Sequence, residues 1–143
     1  MLVAASQTVV ARVKAETPLP DTDGVSSGRA IYEQHCASCH GANAKGAPNW
    51  QERDAQGELP APPHNAEGHT WRHSDADLFK MVSRGWRDPF NKSKRLTMPA
   101  FNDALTPEQI RAVIGYLKTL WTSEQRQFQS EESRDRPSAH QTP

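Results

Sequence analysis

Residues 36 to 40 have the sequence Cys36-Ala37-Ser38-Cys39-His40, a C-x-x-C-H run that contains both cysteines of the chain. Such a run is the signature of covalent haem attachment. Two thiols three residues apart lie on one helical turn, where each can form a thioether with one of the two haem vinyl groups. The adjacent imidazole then faces the iron. The run therefore predicts one covalently bound haem c, held by Cys36 and Cys39, with His40 as an iron ligand.

Three other uses of a C-x-x-C pair fit the chain less well. A thioredoxin-like dithiol follows a strand of a βαβ unit, and no alternating β-branched run occurs near Cys36. A closed zinc site needs a second pair of ligands at similar spacing, and the chain has no second C-x-x-C pair. A disulfide across so short a loop constrains little of the chain. Haem attachment is therefore the favoured interpretation.

The composition is that of a small domain that needs a cofactor to complete its core. The chain has 143 residues, of which 35% are apolar and 11 are proline, and its mean hydropathy is -0.82. A covalently held macrocycle would supply a flat apolar surface for short helices, so we expect the haem-free chain to fold poorly. The 17 basic and 17 acidic side chains cancel, and nothing in this balance indicates nucleic-acid binding.

Three helices are predicted, and no strand. The first begins at Ser26 or Ser27 as N-cap and continues into the C-x-x-C-H run, with Gly28 on its inner face. A glycine inside a helix costs about 1 kcal/mol relative to alanine, so Gly28 predicts the close approach of another backbone, that of the last helix. The middle helix has Ser74 as its cap and ends at Gly85.

The last helix has the clearest local signals in the chain. Thr106 is its N-cap, Pro107 its first residue, and Gln109 the partner that closes a capping box. Its apolar residues recur at helical spacing as far as about Trp121 and define one buried face. Between the first and middle helices, residues 41 to 73 are rich in Gly, Pro, Asn and His and are predicted to form a loop around the cofactor.

Met98 is the predicted second iron ligand, on the loop before the last helix. An iron bound by histidine has either an open face or a second axial ligand, and a thioether there raises the reduction potential. Pro99 would stiffen the loop that presents the sulfur. Two alternatives stay open: Met81, on the apolar face of the middle helix, and a histidine ligand or a vacant position. The loop histidines are His64, His69 and His73.

A cluster of basic side chains precedes Met98. Five cations occur within twelve residues, with Asp88 as the only acid among them: Arg84, Arg87, Lys92, Lys94 and Arg95. Two interpretations stay open. The cluster is either a solvated loop or a basic rim that docks an acidic redox partner.

These motifs, taken in order, resemble those of class I cytochromes c. The resemblance covers roughly residues 24 to 122 and rests on the C-x-x-C-H-G run, Gly46-Ala47-Pro48, Met98-Pro99-Ala100-Phe101 and Ile114-Gly115-Tyr116-Leu117. It implies an all-α fold in which three or more helices pack around one haem, with long irregular loops. The first and last helices of that family cross near a glycine and an aromatic residue. The matching positions here are Gly28, Tyr32, Val113 and Tyr116.

The resemblance also implies roles for single residues. The carbonyl of Pro48 would accept a hydrogen bond from the proximal His40 and fix its orientation. Trp71 and Trp86 are candidates to donate their indole N–H groups to the haem propionates, or else to pack against the haem or in the core.

Electron transfer rather than catalysis is the function that the resemblance implies. The chain would be a monomeric single-electron carrier that cycles between Fe(III) and Fe(II), with His/Met ligation and no catalytic residue. Its partners would be respiratory or periplasmic redox proteins. The alternative is a haem-bearing subunit of an oxidase or dehydrogenase complex, or a haem enzyme or sensor with an open sixth site.

Two polar segments flank the predicted domain, which spans residues 23–122. Residues 1–22 form a lead-in and linker that is too short and too polar to cross a bilayer and has no evident export signal. Residues 123–143 are polar and are predicted to be a disordered tail, with binding to a partner subunit as the alternative. By the resemblance, haem attachment of this kind implies a periplasmic or other extracytoplasmic location, and the lead-in suits a membrane tether or association with a membrane complex.

Overall fold

The computed structural model describes residues 22–136, and these form five α-helices joined by long loops. The helices are α1 (Thr22–His35), α2 (Ala37–His40), α3 (Asp75–Arg84), α4 (Pro107–Lys118) and α5 (Ser123–Asp135), with 3-10 turns at Ala42–Ala44 and Thr70–Arg72. Within these described residues there is no strand, and the one isolated β-bridge joins Trp86 to Met98. The predicted all-α class is confirmed.

Helices α1 and α4 cross in close contact at Gly28. A Cβ atom at this position would lie 1.9 Å from the carbonyl oxygen of Ala112, so only glycine fits. Beside the crossing, the rings of Tyr32 and Tyr116 pack with their centroids 5.4 Å apart. The Tyr32 hydroxyl also donates to the carbonyl of Gly41 at 2.8 Å, which ties α1 to the chain just after the C-x-x-C-H run. The predicted close approach at Gly28 is confirmed.

The hydrophobic core lies mainly on one face of α4. The buried residues of this helix recur at helical spacing and are Ile110, Val113, Ile114, Tyr116 and Leu117. The other large buried side chains are Tyr32, Leu78, Leu105 and Trp121. Burying a side chain of this size contributes roughly 1.5–3 kcal/mol to the free energy of folding. With five buried residues, α4 contributes more to the core than any other helix.

The ends of α3 and α4 form as the sequence predicts. The Ser74 hydroxyl accepts from the amide N–H of Asp77, and Gly85, with a φ of 78°, ends α3. At the start of α4, Thr106 and Gln109 satisfy each other's amide N–H groups at 3.2 and 2.9 Å. These N–H groups have no partner inside the helix, so a cap of this kind is worth about 1 kcal/mol.

The predicted start of α1 is wrong by one turn. The helix begins at Thr22, so Ser26 and Ser27 lie within it rather than at its cap. Asp23 is in the first turn, where a negative charge interacts favourably with the helix dipole. Val25 packs against the core, and this contact stabilises the extra turn.

The prediction of disorder for residues 123–143 is wrong for α5. Thr122 and Gln125 form a second capping box, and the helix packs against α3 and the turn Thr70–Arg72. Its buried side chain is a glutamine, Gln129, so the apolar pattern that marks other helices is missing. Residues 1–21, which contain nearly all of the predicted lead-in, and residues 137–143 lie outside the described part of the chain.

None of the helices within residues 22–136 has the length and apolar character that crossing a membrane requires.

Candidate haem-binding site

The C-x-x-C-H run lies at the junction of α1 and α2, so its side chains project from one tight turn. The amide N–H groups of Cys39 and His40 both donate to the carbonyl of Cys36, at 3.2 and 2.9 Å. Both cysteines are free thiols; Cys36 is half-buried and Cys39 is exposed. Burial raises the pKa of the Cys36 thiol to about 11, with a smaller effect from Cys39. Two unpaired thiols on one turn provide what two thioether bonds require.

His40 is buried, and one hydrogen bond fixes its ring. Its Nδ1 lies 2.9 Å from the carbonyl oxygen of Pro62. Because a carbonyl only accepts, Nδ1 carries the proton and Nε2 carries the lone pair. Burial lowers the pKa of His40, although the bond to Pro62 opposes this, and the ring is neutral as a result. A neutral imidazole whose Nε2 carries the lone pair is the form that ligates haem iron.

The predicted role of Pro48 is wrong, because the acceptor is the carbonyl of Pro62. Pro48 is exposed. The amide N–H of Ala47 donates to the carbonyl of Ala61 at 2.9 Å, and this pairing brings residues 61–63 rather than residue 48 to the ring of His40. The sequence does contain a signal for this segment. Prolines at 60, 62 and 63 stiffen the chain and leave its carbonyls without helix or strand partners.

His64 is the loop histidine that meets His40, and the sequence does not distinguish it from the others. The two Nε2 atoms are 3.4 Å apart and the ring centroids 4.1 Å apart. Because Nε2 of His40 carries the lone pair, Nε2 of His64 carries the proton and its Nδ1 accepts from the Thr70 hydroxyl at 2.7 Å. Burial, and then the neighbouring imidazoles, lower the pKa of His64 to about 3. His69 and His73 contact each other, with centroids 5.5 Å apart.

Met98 is half-buried on a loop that is tied back to the end of α3. The amide N–H of Trp86 donates to the Met98 carbonyl at 3.0 Å, and the Met98 N–H donates to the Trp86 carbonyl at 2.9 Å. After the methionine, the N–H of Phe101 donates to the carbonyl of Val82 at 3.0 Å. The backbone around the sulfur is therefore anchored on both sides. Met81, the alternative ligand, is half-buried on α3 itself.

Two buried carboxylates hold the part of this loop that precedes Met98, residues 88–95. Asp88 accepts from the N–H of Phe90 at 2.8 Å and from the Arg53 guanidinium at 3.0 Å. These contacts, first the Phe90 N–H, lower the pKa of Asp88. Glu58 is equally buried and pairs with Arg95 at 2.5 Å. The 53–58 and 88–95 segments are thus fixed to each other.

The two tryptophans differ in what they contact. The indole N–H of Trp71 donates to the carbonyl of Gly68 at 3.0 Å, within its own loop, so of the two roles predicted for Trp71 the geometry fits packing rather than a bond to a haem propionate. Its ring instead packs against the core and meets Phe128 edge-on at 5.5 Å. Trp86 is 47% exposed, and a propionate bond from its indole stays a prediction.

The donor groups match haem c. Two free thiols and a neutral imidazole lie on one turn, and a thioether lies on an anchored loop. Within residues 22–136, no group of three or more His, Cys, Asp or Glu side chains is arranged to hold a metal ion. The residues that would hold haem c are therefore Cys36, Cys39 and His40, with Met98 as the predicted sixth ligand.

The sequence is similar to subunits of bacterial cbb3-type cytochrome c oxidases. The cbb3-type cytochrome c oxidase subunit FixP of Sinorhizobium medicae (strain WSM419) is 28% identical over 97 residues, which cover 67% of this chain and 30% of that protein. The subunit of the same name from Bradyrhizobium sp. (strain ORS 278) is 29% identical over 117 residues, covering 79% of this chain and 34% of the relative. The chain therefore spans about a third of the length of these relatives.

The fold and the family model agree. Cytochrome cL from the marine methylotrophic bacterium Methylophaga aminisulfidivorans MPT has a similar fold, with a TM-score of 0.57 and 17% identity, over 87% of this chain and 72% of that one. The cytochrome c family model matches residues 25–121, a span that contains the C-x-x-C-H turn, the Met98 loop, α4 and all but the first three residues of α1. The chain therefore belongs to the cytochrome c family, whose members carry covalently attached haem c and transfer electrons.

Proposed function

We propose that this protein is a single-electron carrier in which His40 and Met98 are the axial ligands of one haem c, attached through Cys36 and Cys39. The observation that carries the proposal is the fixed tautomer of His40. Its Nδ1 proton is held by the carbonyl of Pro62, so Nε2 is left with a lone pair beside two free thiols. When bound, the haem supplies the Fe(III)/Fe(II) couple, and the protein supplies ligation and insulation.

The anchoring of both ligands favours a carrier over an enzyme. The Pro62 carbonyl orients His40, and two backbone hydrogen bonds between Met98 and Trp86 hold the loop of the second ligand. Ligands held in this way change position little when one electron is added or removed. A haem enzyme would need an open coordination position on the iron for its substrate, and in this proposal Met98 occupies that position.

The surface of residues 84–96 supports docking of an acidic redox partner. Three large apolar side chains are exposed there, Trp86, Phe90 and Leu96, and Phe90 is 68% exposed. The cations around them are all exposed and are Arg84, Arg87, Lys92, Lys94 and Arg95. The acid of this stretch, Asp88, is buried and paired with Arg53, so the exposed charge is positive. An apolar centre with a charged rim suits a small, short-lived interface.

A second candidate function is that of a haem-bearing subunit of an oxidase complex. The observation that favours it is the similarity to cbb3-type oxidase subunits, of which this chain spans about a third. The haem domain would perform the same electron transfer in that setting, but its partners would be fixed neighbours. In either setting we place the protein outside the cytoplasm, in the periplasm or at a membrane complex, because the family carries covalently attached haem.

Optical spectra of the haem-loaded protein test the ligation. We expect a sharp c-type α band after reduction with dithionite and, in the ferric protein, the weak sulfur-to-iron band in the far red. Met98→Ala should abolish the sulfur band and allow the ferrous iron to bind carbon monoxide, whereas the control Met81→Leu should do neither. Loss of the band in Met81→Leu would make Met81 the ligand. A wild-type protein without the band that binds carbon monoxide would favour an enzyme or a sensor.

The salt dependence of electron transfer tests the docking surface. The rate with an acidic redox protein should fall as salt is added, because the attraction between exposed charges is screened. Charge reversal at Lys92 and Lys94 should slow the reaction at low salt and flatten this dependence, while reversal at Arg134, an exposed cation on α5, should not. Equal effects of the Lys92/Lys94 and Arg134 reversals would contradict docking at residues 84–96 and would indicate a dependence on net charge alone.

A further inference from the structure

Helix α5 lies beyond the residues that match the family model, yet it contacts the segment beside His40. Besides the edge-on contact of Phe128 with Trp71, polar side chains make these contacts. The Gln125 amide donates to the carbonyl of Ala66 at 3.0 Å. The Gln129 amide lies 3.2 Å from the carbonyl of His73 and 2.7 Å from the Asp75 carboxylate. Gln129 is only 2% exposed, and a buried amide with several partners specifies one arrangement of the chain.

Further contacts hold the two ends of the same segment, residues 64–75. At its end, the Ser133 hydroxyl accepts from the amide N–H of Asp75, the first residue of α3, at 3.0 Å. At its start, the indole N–H of Trp121 donates to the carbonyl of His64 at 2.8 Å. The segment is therefore fixed from Trp121 through α5 at several points along its length.

Residues 64–75 begin two residues after Pro62 and contact the proline between them. The segment folds back on the adjacent proline, since a Cβ atom on Gly68 would lie 2.1 Å from the carbonyl oxygen of Pro63. His64 is bonded through its amide N–H to the carbonyl of Ala44 at 2.9 Å. A shift of residues 64–75 would therefore be transmitted to the Pro62 carbonyl, which accepts the Nδ1 proton of the axial histidine.

We propose that α5 is a positioning element for His40: Gln125 and Gln129 hold residues 64–75 in place, and through them the Pro62 carbonyl. The proposal rests on the proposed role of His40 as an iron ligand. A hydrogen bond at Nδ1 increases the electron density that Nε2 donates to a metal, so α5 influences the iron without contacting it. Gln129 is a positioning residue in this arrangement.

The test uses the haem-loaded, full-length chain and the substitution Gln129→Glu. Glutamate keeps the size of the side chain, removes both N–H donors and places a second carboxylate beside Asp75. The matched control is Gln127→Glu, because Gln127 is exposed on the same helix and its amide donates to Glu131 of that helix. The measurements are the exchange rate of the His40 Nδ1 proton in the ferrous protein, by NMR, and the midpoint potential.

We expect Gln129→Glu to accelerate exchange of the Nδ1 proton by about tenfold, since a lost buried hydrogen bond favours local opening by that order. The midpoint potential should rise, because a weaker Nδ1 bond makes Nε2 a poorer donor to ferric iron. Gln127→Glu should leave both unchanged. If Gln129→Glu does not fold, Gln125→Ala is the second variant. Gln125 is partly exposed, so the same two changes should appear with smaller magnitude.

The proposal is overturned if the amides of α5 exchange faster in Gln129→Glu while the His40 proton and the potential stay at their wild-type values. In that case α5 only stabilises the fold. The proposed electron-carrier function is tested separately, by the sulfur band and carbon monoxide binding of Met98→Ala. Failure of that test would leave the His40 measurement intact.

Discussion

Among single residues, Gly28 sets how closely the two main helices approach. The space for a Cβ atom is taken by a backbone carbonyl, that of Ala112, which has no rotamer to change. We therefore expect Gly28→Ala to lower the free energy of unfolding by about 3 kcal/mol, the upper end of the range for overpacked sites. Denaturant titration of the haem-loaded protein measures this. Ser27→Ala, one residue away and exposed, is the control, and an equal loss there would contradict the packing argument.

Asp88 gives the protein a dependence of stability on pH. Its pKa lies below the ordinary 3.8, first because it accepts the Phe90 N–H, so the folded chain binds this proton less well than the unfolded chain. The stabilisation is therefore present above 3.8 and is lost as the pH falls through the lower folded pKa. Asp88→Asn should be less stable than wild type at pH 7, with a difference that shrinks below 3.8. Denaturation midpoints measured from pH 7 to below 3.8 test this, with the exposed Asp103→Asn as control. A difference between wild type and Asp88→Asn that stayed constant with pH would contradict the role of the Asp88 carboxylate.

At the scale of helices, local signals determine which parts of the fold are predictable from sequence. The caps at Ser74 and Thr106 act over three residues, and the chain shows them directly. Helix α5 has the same kind of cap at Thr122, but it buries a glutamine, so its composition resembles that of a disordered tail. The partner of His40 is equally hidden, because Pro62 reaches it only through the path of the loop between them.

The capping boxes of α4 and α5 should differ in their effect on stability. Thr106→Ala removes the cap of the helix that forms the core, so we expect the free energy of unfolding to fall by about 1 kcal/mol. Thr122→Ala removes the same cap from a helix at the edge, and should mainly accelerate hydrogen exchange of residues 123–129, with a smaller shift in the denaturation midpoint. The two variants are matched in chemistry. Equal shifts in the midpoint would show that α5 folds as one unit with the core.

For the whole molecule, the balance between core and loops points to dependence on the haem. The buried apolar residues come mostly from one face of α4, while residues 41 to 69 contain little more than one short 3-10 turn of regular structure. Single hydrogen bonds, such as those of Pro62 with His40 and of Trp121 with His64, connect these loop residues to the helices. A chain with 35% apolar residues has little further surface to bury there.

We therefore expect the chain to lose much of its structure when haem attachment is prevented. Cys36→Ser/Cys39→Ser should show reduced helical circular dichroism and a broad, weakly cooperative thermal transition, because the macrocycle that completes the core is missing. Cys39→Ser alone, with one thioether left, is the control and should stay close to the wild-type signal, since it still retains the haem. A double variant with wild-type helicity and a sharp transition would show instead that α1, α3 and α4 form a sufficient core by themselves, with the haem bound to a preformed site.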